Sequence, residues 1–488
     1  MSRSSKWKRV LFLLSMVASA VALMMGAGVT PAMAETINFS SGVETQQIQP
    51  TFSDTIAYSF NVNGYLSGIN PECGIRQEIA HSGSKAVMYS GTDTSATTSF
   101  CYFKVFKVDI PITNDTNLSY WIYPQNDNGR YVAVDFECSD GTTLRDSGAT
   151  DSNGISMHPK AGRGTVNTWT NITSNVGVWL HGKTIRYIII GYDRPEATGG
   201  FRGYIDDIKI SKAATLAAPA AAWQEHWFEH NQLVKLQYYD DQVAVYFDDD
   251  MAGTTSSWIF PLASTLWMYT KNIYGTFGND SDPRLYVVVH RNRYSGGHPS
   301  TYFDSSHDYR NTIDVGGSDF GSASGWNIKI LLHEVSHIVE LASYGCHNSP
   351  SAKLWGDSKF AEIYQYDALN GMGMSSEARA EYDEYQSSTD GNGYYWFRDW
   401  FYPVWSQHGK AMALTGFFKL LGQYFPKASN GYDYARSLNW GEFYHFWSGA
   451  AGANLKSQAT AAFGGDSTKD SQWNAARSTF SAITSLYE

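Results

Sequence analysis

The chain has 488 residues, with 36 Lys and Arg against 47 Asp and Glu, so its formal net charge is −11. An acidic chain of this kind is not expected to bind nucleic acid or an anionic membrane, because both recruit basic surfaces. Without residues 1–34, about 450 residues remain, which is more than one hydrophobic core usually holds. We therefore expect two domains.

Residues 1–34 have the three parts of a secretory signal peptide. A basic start precedes an apolar run from Val10 to about Met25, and Ala32-Met33-Ala34 supplies a small-x-small cleavage pattern. A membrane anchor is the alternative, but the apolar run is short and ends in the cleavage pattern. The sequence therefore predicts a secreted, soluble, extracellular protein without a membrane partner.

Residues 35–212 have the pattern of an all-β domain. Runs such as Lys104–Ile110 and Tyr131–Phe136 are rich in β-branched and aromatic residues and partly alternate apolar with polar residues. Turn-forming clusters at 125–129 and 139–141 separate such runs, and no long stretch has helical periodicity. This order predicts a β-sandwich, with a jelly roll as the expected architecture.

Three phrases of this region, Asn117–Ile122, Tyr187–Tyr192 and Gly203–Ile208, resemble the sugar-binding jelly rolls of secreted carbohydrate-active enzymes. The resemblance implies a carbohydrate ligand held on aromatic rings, although a purely structural β-domain is an open alternative. It also implies a structural calcium ion at Asp206 or Asp207, since carboxylate oxygens suit Ca²⁺, with a solvated strand end as the alternative. The candidate sugar-stacking rings are Trp121, Trp169, Trp179 and Tyr192.

Export permits a disulfide bond among the four cysteines, Cys73, Cys101, Cys138 and Cys346. A bond within the first domain is expected, because three of the four lie there, but the connectivity is not readable from sequence. No C-x-x-C pair is present, so a cysteine zinc site is not expected.

Residues 213–222 are small and uncharged and include Pro219, which indicates a linker to a second domain at 223–488. Here Gln224–Leu236 has the pattern of a helix, and Val243–Phe247, Arg284–Val289 and Asn311–Val315 have that of strands. From Asp357 onward the patterns are mostly helical. Strands followed by helices indicate an α+β domain.

The most informative motif is His333-Glu334-Val335-Ser336-His337, which lies within an apolar run that predicts a helix. Residues four positions apart share a helix face, so His333 and His337 can both direct an imidazole nitrogen at one metal ion. Glu334 is then available as the general base for a metal-activated water. An ordinary helix with two surface histidines is the alternative.

A zinc hydrolase needs a third protein ligand, and the downstream segment 355–367 offers three carboxylates. Glu362 lies just over one turn inside the predicted helix and has the longer reach. Asp357 stands at the expected N-cap, where backbone N–H groups would occupy its oxygens. Asp367 is a candidate acceptor that orients an imidazole, with a surface position as the alternative. His347 is a further, weaker candidate ligand.

With an acidic helix downstream, the motif resembles the gluzincin metallopeptidases over roughly 325–367. The resemblance implies a zincin-like fold, bound Zn²⁺ and a protein or glycoprotein substrate, with Glu334 as catalytic base. The sequence departs from the clan's pattern here, because aligning the clan's Ala-acid pair with Ala361-Glu362 places Ser358 and not a Glu at the ligand position. On that alignment the neighbouring Asp357 binds zinc and Glu362 supports a histidine, so the third ligand remains Glu362 or Asp357. The clan also implies a substrate-pairing edge strand, for which Asn311–Val315 is the candidate.

The clan further implies a Tyr or His that stabilises the oxyanion, and the candidates are Tyr402, His408, Tyr444 and His445. For each of them, ordinary packing or a surface position is the alternative. The sequence thus predicts a secreted zinc endopeptidase carrying a β-sandwich that targets glycans. Two alternatives remain. One is a non-catalytic glycan-binding or adhesion protein with a metallopeptidase-like scaffold, and the other is a zinc hydrolase that acts on cell-wall amides.

Overall fold

The computed structural model describes residues 35–52, 54–68, 70–213, 217–225, 230–275, 277–278, 282–323 and 325–488. The predicted signal peptide, residues 1–34, lies outside the described residues. Within the described ranges, no helix has the length and apolar character needed to cross a membrane.

The first half of the described chain is an antiparallel β-sandwich, as predicted. One sheet has the strand order β3-β5-β11-β7-β9, with β1 paired to β11 and β4 paired to β5, and the other has the order β2-β6-β10-β8. The apolar faces of the two sheets enclose a shared core that includes Phe39, Val105 and Ile190. The strands are β1 Glu35–Ser41, β2 Asp54–Phe60, β3 Val62–Asn63, β4 Glu72–Arg76, β5 Ala86–Asp93, β6 Phe100–Pro111, β7 Asn117–Pro124, β8 Val132–Cys138, β9 Thr170–Ser174, β10 Thr184–Asp193 and β11 Gly199–Ala213, with a short helix α1 at Gly177–Leu180.

The second half begins with a mixed sheet whose strand order is β12-β13-β14-β15-β17-β16. Strands β14, β15 and β17 are parallel, and the remaining pairs are antiparallel. The three strands predicted in this region are confirmed. These strands are β12 Ala222–Gln224, β13 Leu233–Tyr239, β14 Val243–Phe247, β15 Leu285–Arg291, β16 Gly296–Ser300 and β17 Asn311–Gly317.

The helix predicted over Gln224–Leu236 is wrong, because the chain forms β12 and β13 on either side of the undescribed residues 226–229. In β13 the inward residues Val234, Leu236 and Tyr238 alternate with exposed ones, which is the period of a strand. This alternation is a stronger signal than the helical pattern at the start of Gln224–Leu236.

Helices cover one face of the mixed sheet and continue as an aromatic bundle. The helices are α2 Ile259–Tyr274, α3 Trp326–Ala342, α4 Ala352–Trp355, α5 Lys359–Gly371, α6 Ser375–Tyr385, α7 Tyr402–Gln407, α8 Ala411–Tyr424, α9 Trp440–Ala451, α10 Lys456–Phe463, α11 Ser467–Thr479 and α12 Ser481–Thr484, with a π-helical turn at Trp396–Phe401. Buried rings such as Trp355, Trp396 and Trp447 fill the bundle core. The described part of this half is therefore α+β, as predicted.

Strand β17, which contains the predicted edge segment Asn311–Val315, is not at the edge of the sheet. It pairs with β15 on one side and β16 on the other, so the edge strand is β16. Pro299 in β16 is consistent with this position, because proline lacks the N–H group that an interior strand needs. Strand β16 was not predicted, because Gly296-Gly297-His298-Pro299 has low β-propensity.

The sandwich and the second half are in direct contact. The backbone N–H groups of Gln46 and Gln49 donate to the carbonyls of Met372 and Gly371, both at 2.8 Å. Met268 of α2 packs against the sandwich core. The two halves are therefore docked through backbone hydrogen bonds as well as through apolar contact.

The expected disulfide bond is not formed. All four cysteines lie in the described part of the chain, and each has a free thiol. Cys101, Cys138 and Cys346 are buried and pack as small apolar side chains.

Candidate metal centre and cleft

Helix α3 carries the His333–His337 motif. Its sequence has no Gly or Pro between Trp326 and Ala342, and its apolar residues, including Leu331, Val335 and Ile338, are buried in the helical core. This amphipathic pattern fixes the rotation of the helix and directs the histidines toward the edge of the sheet. The predicted helix is therefore confirmed.

The helix brings the two imidazoles together. Nε2 of His333 lies 3.1 Å from Nε2 of His337, and Oδ1 of Asp357 lies 3.9 Å from the latter atom. One donor atom from each of the three residues lies within 4.8 Å of the others. The Asp357 side chain is 88% exposed, so it can adjust toward an ion without breaking internal contacts.

The structure does not bring Glu362 to the histidines. Its Oε1 accepts hydrogen bonds from Lys359 Nζ and Ser388 Oγ, both at 2.6 Å. Asp357, in turn, does not cap α5, because Ser358 occupies the N-cap position and Asp357 precedes it. Of the two carboxylates left open by the sequence, Asp357 is therefore the one beside the imidazoles.

The electrostatics of His333 and Glu334 suit a metal site. Burial, together with the neighbouring His337, lowers the pKa of His333 to about 4, so this imidazole is neutral and can donate a lone pair. Burial raises the pKa of Glu334 to about 7. Its Oε2 atom is buried and has no hydrogen-bond partner among the described residues. The donor set of two imidazoles and one carboxylate fits Zn²⁺.

Glu340 orients His337. Its Oε2 lies 3.2 Å from His337 Nδ1, and its Oε1 accepts a hydrogen bond of 2.6 Å from Trp355 Nε1. Although burial alone would lower the pKa of His337, the hydrogen bond and charge of Glu340 raise it. Glu340 was not predicted as a site residue, although its position three residues after His337 on a predicted helix was a usable signal.

Asp367, the predicted orienting acid, is instead the centre of a buried network away from the histidines. Its carboxylate accepts hydrogen bonds from the Tyr269 and Tyr274 hydroxyls at 2.8 and 2.7 Å and from Trp405 Nε1 at 2.6 Å. It therefore ties α2 to α5 and α7 and does not support the metal centre. His347 also lies elsewhere, with its Nδ1 atom 2.6 Å from Asp433.

A cleft of about 690 Å³ opens beside the motif, between α3 and the edge strand β16. Glu334 forms part of its wall and is only 3% exposed. Gly297 of β16 faces this carboxylate so closely that a Cβ atom there would lie 2.5 Å from Glu334 Oε1. The apolar part of the lining consists of Trp326, Ile330, Leu341, Ala352 and Pro299.

None of the four predicted oxyanion residues is part of this lining. Tyr444 and His445 are buried in the helical bundle, where Nδ1 of His445 is 2.8 Å from the Tyr487 hydroxyl. Tyr402 packs on Trp405 and Tyr382, and His408 lines a separate pocket between α8 and the sandwich. The prediction is wrong for these residues, because their helices pack away from the cleft.

The sandwich has its own groove of about 500 Å³, on the sheet formed by β1, β7, β9 and β11. Trp121 lines it and stacks on His81 at a centroid distance of 3.7 Å. Of the other predicted rings, Trp169 is half-buried next to His81, Trp179 is 46% exposed, and Tyr192 is buried against Phe201. Tyr192 therefore cannot present a face to a sugar.

Asp206 and Asp207 lie next to this groove with their carboxylates close together. Asp206 Oδ2 accepts hydrogen bonds from the His81 and Ser82 backbone at 2.8 and 3.2 Å, and Asp207 Oδ1 accepts one of 2.7 Å from Ser82 Oγ. A Cβ atom at Gly42 would lie 2.8 Å from an oxygen of each carboxylate. Burial and the charge of Asp207 raise the pKa of Asp206 to about 6.

No protein-family model matches this chain, and no curated protein matches it in sequence. Among solved structures, it is similar to a carbohydrate-binding module of the β-sandwich superfamily, with 13% identity and a TM-score of 0.22 over 31% of this chain and 55% of that one. The CBM22-1 xylan-binding domain from Paenibacillus barcinonensis Xyn10C has 13% identity and a TM-score of 0.21 over 38% of this chain and 99% of that one.

A β-1,2-glucanase from Parabacteroides distasonis has 9% identity and a TM-score of 0.24 over 43% of this chain and 30% of that one. The chain thus spans about half the length of the carbohydrate-binding module and less than a third of the glucanase. Likenesses of this size assign neither a ligand nor an activity to this protein.

Proposed function

We propose that the protein is a secreted zinc-dependent endopeptidase. The observation that carries the proposal is the convergence of His333, His337 and Asp357 beside the buried carboxylate of Glu334. A cleft bounded by an edge strand runs past these residues. A helix with incidental surface histidines would not need, at the same point, a buried carboxylate whose Oε2 atom has no hydrogen-bond partner among the described residues.

His333, His337 and Asp357 would hold the zinc ion, and Glu340 would fix the orientation of His337. When bound, zinc supplies Lewis-acid chemistry that acidifies water and polarises a carbonyl group. Glu334 accepts the proton of the attacking water, because a carboxyl with a pKa of about 7 exchanges protons readily near neutral pH. It then returns that proton to the leaving amine.

The cleft favours an extended peptide as substrate. Strand β16 is the edge of the sheet, and an extended chain can add to such an edge through backbone hydrogen bonds. Trp326, Ile330 and Leu341 give the cleft an apolar wall that suits an apolar substrate side chain. Trp326 is 52% exposed, so it is available for contact with substrate.

The test combines zinc content with cleavage of casein, an unfolded protein that needs no specific recognition. The purified wild type is expected to bind zinc and cleave casein, whereas Glu334→Gln should keep the zinc and lose at least about 1,000-fold in rate, as expected when general-base catalysis is removed. Zinc without cleavage of casein but with release of amines from cell-wall peptides would favour the cell-wall amidase. If the folded wild type takes up no zinc at the His333–His337 motif, the result would contradict the peptidase and favour the non-catalytic binding protein.

A second function, carbohydrate binding by the sandwich, is favoured by the groove around Trp121. A flat indole beside polar side chains, such as Asn117, Asn171 and Thr173, provides both stacking and hydrogen bonding for a sugar ring. Affinity electrophoresis in gels that contain xylan or β-glucan tests this role. Trp121→Ala should abolish retardation, and Trp179→Ala, on a ring outside the groove lining, is the matched control.

A further inference from the structure

A cluster of four buried side chains lies on the face of the mixed sheet opposite the helices. It consists of Glu225, His230, His290 and Asp314, each at most 4% exposed. One donor atom from each residue lies within 4.8 Å of the others. None of them contributes to the proposed peptidase centre.

The alternation of strand residues explains the position of this cluster. In β17, Ile313 and Val315 join the core beneath the helices, so Asp314 between them points to the other face. His290 of β15 lies two residues after Val288, the register partner of Asp314, and shares its face. Glu225 and His230 come from the chain between β12 and β13.

The contacts within the cluster converge on one point. Nε2 of His290 lies 2.9 Å from Glu225 Oε1 and 3.2 Å from Asp314 Oδ1. His230 Nδ1 is paired with the other oxygen of Asp314. Asp314 is only 1% exposed, so its carboxylate is shielded from water and depends on these partners to balance its charge. Buried carboxylates and imidazoles that converge in this way are the donor types of a metal site.

The surroundings of His290 match those of an imidazole that binds a metal. Its Nδ1 atom lies 2.9 Å from Asp248 Oδ2, and Arg293 Nη1 lies 2.8 Å from the same carboxylate oxygen. An imidazole that binds a metal through one ring nitrogen ordinarily donates a hydrogen bond from the other ring N–H to a carboxylate, and this bond fixes the tautomer and orientation of the ring. Because Arg293 already neutralises Asp248, the charges of Glu225 and Asp314 remain for a divalent cation.

A neighbouring aromatic ring fixes the position of His230 in the cluster. Tyr294 stacks on His230 at a centroid distance of 3.4 Å and holds that ring in position.

From this geometry we propose a second metal site, in which Glu225, His230, His290 and Asp314 bind a divalent transition metal in a structural, closed centre. Four nitrogen and oxygen donors with two imidazoles suit zinc, whereas calcium and magnesium prefer oxygen ligands alone. A metal here would join the β12–β13 connection to β15 and β17, directly behind the edge strand of the cleft. The proposal does not depend on peptidase activity.

The experiment measures zinc content in the full chain with the first site removed. In the His333→Ala/His337→Ala protein, supplied with zinc and then dialysed, one equivalent of zinc per chain is expected to remain. Adding Glu225→Gln or His290→Gln should reduce it to zero, and adding Glu362→Gln, a buried carboxylate outside both sites, should leave it unchanged. X-ray absorption at the zinc edge of the double variant should report two imidazole ligands, and this readout needs no change to the second site.

A folded double variant that holds no zinc would overturn the proposal and identify the cluster as an ionic network around a protonated His290. Zinc that persists in folded Glu225→Gln and His290→Gln proteins would also overturn it, because the ion would then be bound elsewhere. Circular dichroism establishes folding for each protein. If a cluster variant does not fold, the absorption spectrum of the double variant decides.

Discussion

His337 and Glu340 lie one helical turn apart on α3, with Nδ1 of the imidazole 3.2 Å from Oε2 of the carboxylate. We expect Glu340→Gln to lower zinc affinity about 10- to 100-fold, the usual cost of losing an outer-shell carboxylate. Competition with a chromogenic chelator measures this change. Unchanged affinity in a folded Glu340→Gln protein would show that Glu340 only anchors Trp355.

Asp357 and Glu362 are distinguished by their contacts, and their variants should differ accordingly. Asp357→Ala is expected to weaken zinc binding at the His333–His337 centre by about 100-fold or more, since it removes a direct ligand. Glu362→Ala should keep zinc affinity but lower the melting temperature, because Lys359 loses its buried partner. Zinc affinity and thermal unfolding of both variants distinguish Asp357 from Glu362 as the third ligand. Loss of zinc affinity in Glu362→Ala but not in Asp357→Ala would identify Glu362 as the ligand.

Gly297 allows the close approach of β16 to Glu334. In Gly297→Ala, the new methyl group would lie 2.5 Å from the carboxylate and would push it out of position. We expect kcat to fall by about 100-fold, as for other small displacements of a catalytic group, with zinc content unchanged. Gly296→Ala, where a Cβ meets nothing within 4 Å but the backbone φ is +97°, serves as the neighbouring control. Full activity in Gly297→Ala would show that Glu334 has room to move.

The raised pKa of Asp206 makes the stability of the protein depend on pH. Because the folded pKa of about 6 exceeds the ordinary carboxyl pKa of 3.8, the folded state binds the proton more tightly between these values. The Asp206 contribution to the free energy of unfolding should therefore become more favourable as pH falls from 6 toward 4. The difference in unfolding free energy between wild type and Asp206→Asn, measured against pH by urea titration in calcium-free buffer, isolates this contribution. A difference that does not vary with pH would contradict it.

Calcium offers a second test of the same carboxylate pair. If Asp206 and Asp207 bind Ca²⁺, millimolar calcium should raise the melting temperature of the wild type and leave that of Asp206→Asn unchanged. Magnesium at the same concentration is the control for ionic strength. An equal shift in both proteins would place the calcium effect elsewhere.

The sequence predicted features that depend on local spacing. The helix that carries His333 and His337 was predictable, because the apolar residues whose spacing indicates a helix all lie within one segment. Glu340 was within reach of the same argument, because a position three residues after a ligand lies on the same helix face.

Features assembled from distant segments were not predictable in this way. The choice between Asp357 and Glu362 depends on how α5 packs against α3, and both carboxylates have plausible spacing. The cluster of Glu225, His230, His290 and Asp314 comes from three separate segments of the chain, and the spacing of these residues matches no motif. Strand β16 was missed because its glycines, which suit a close approach to Glu334, also remove the strand signal.

The backbone hydrogen bonds from Gln46 and Gln49 to Met372 and Gly371 change the role of the linker between the halves. Because the two halves form a direct interface, the linker does not allow one half to move independently of the other. Its covalent connection instead raises the effective concentration of the docking surfaces for each other. A glycan bound in the Trp121 groove would therefore remain at one fixed distance and orientation from the cleft, as expected for a rigid arrangement of the two halves.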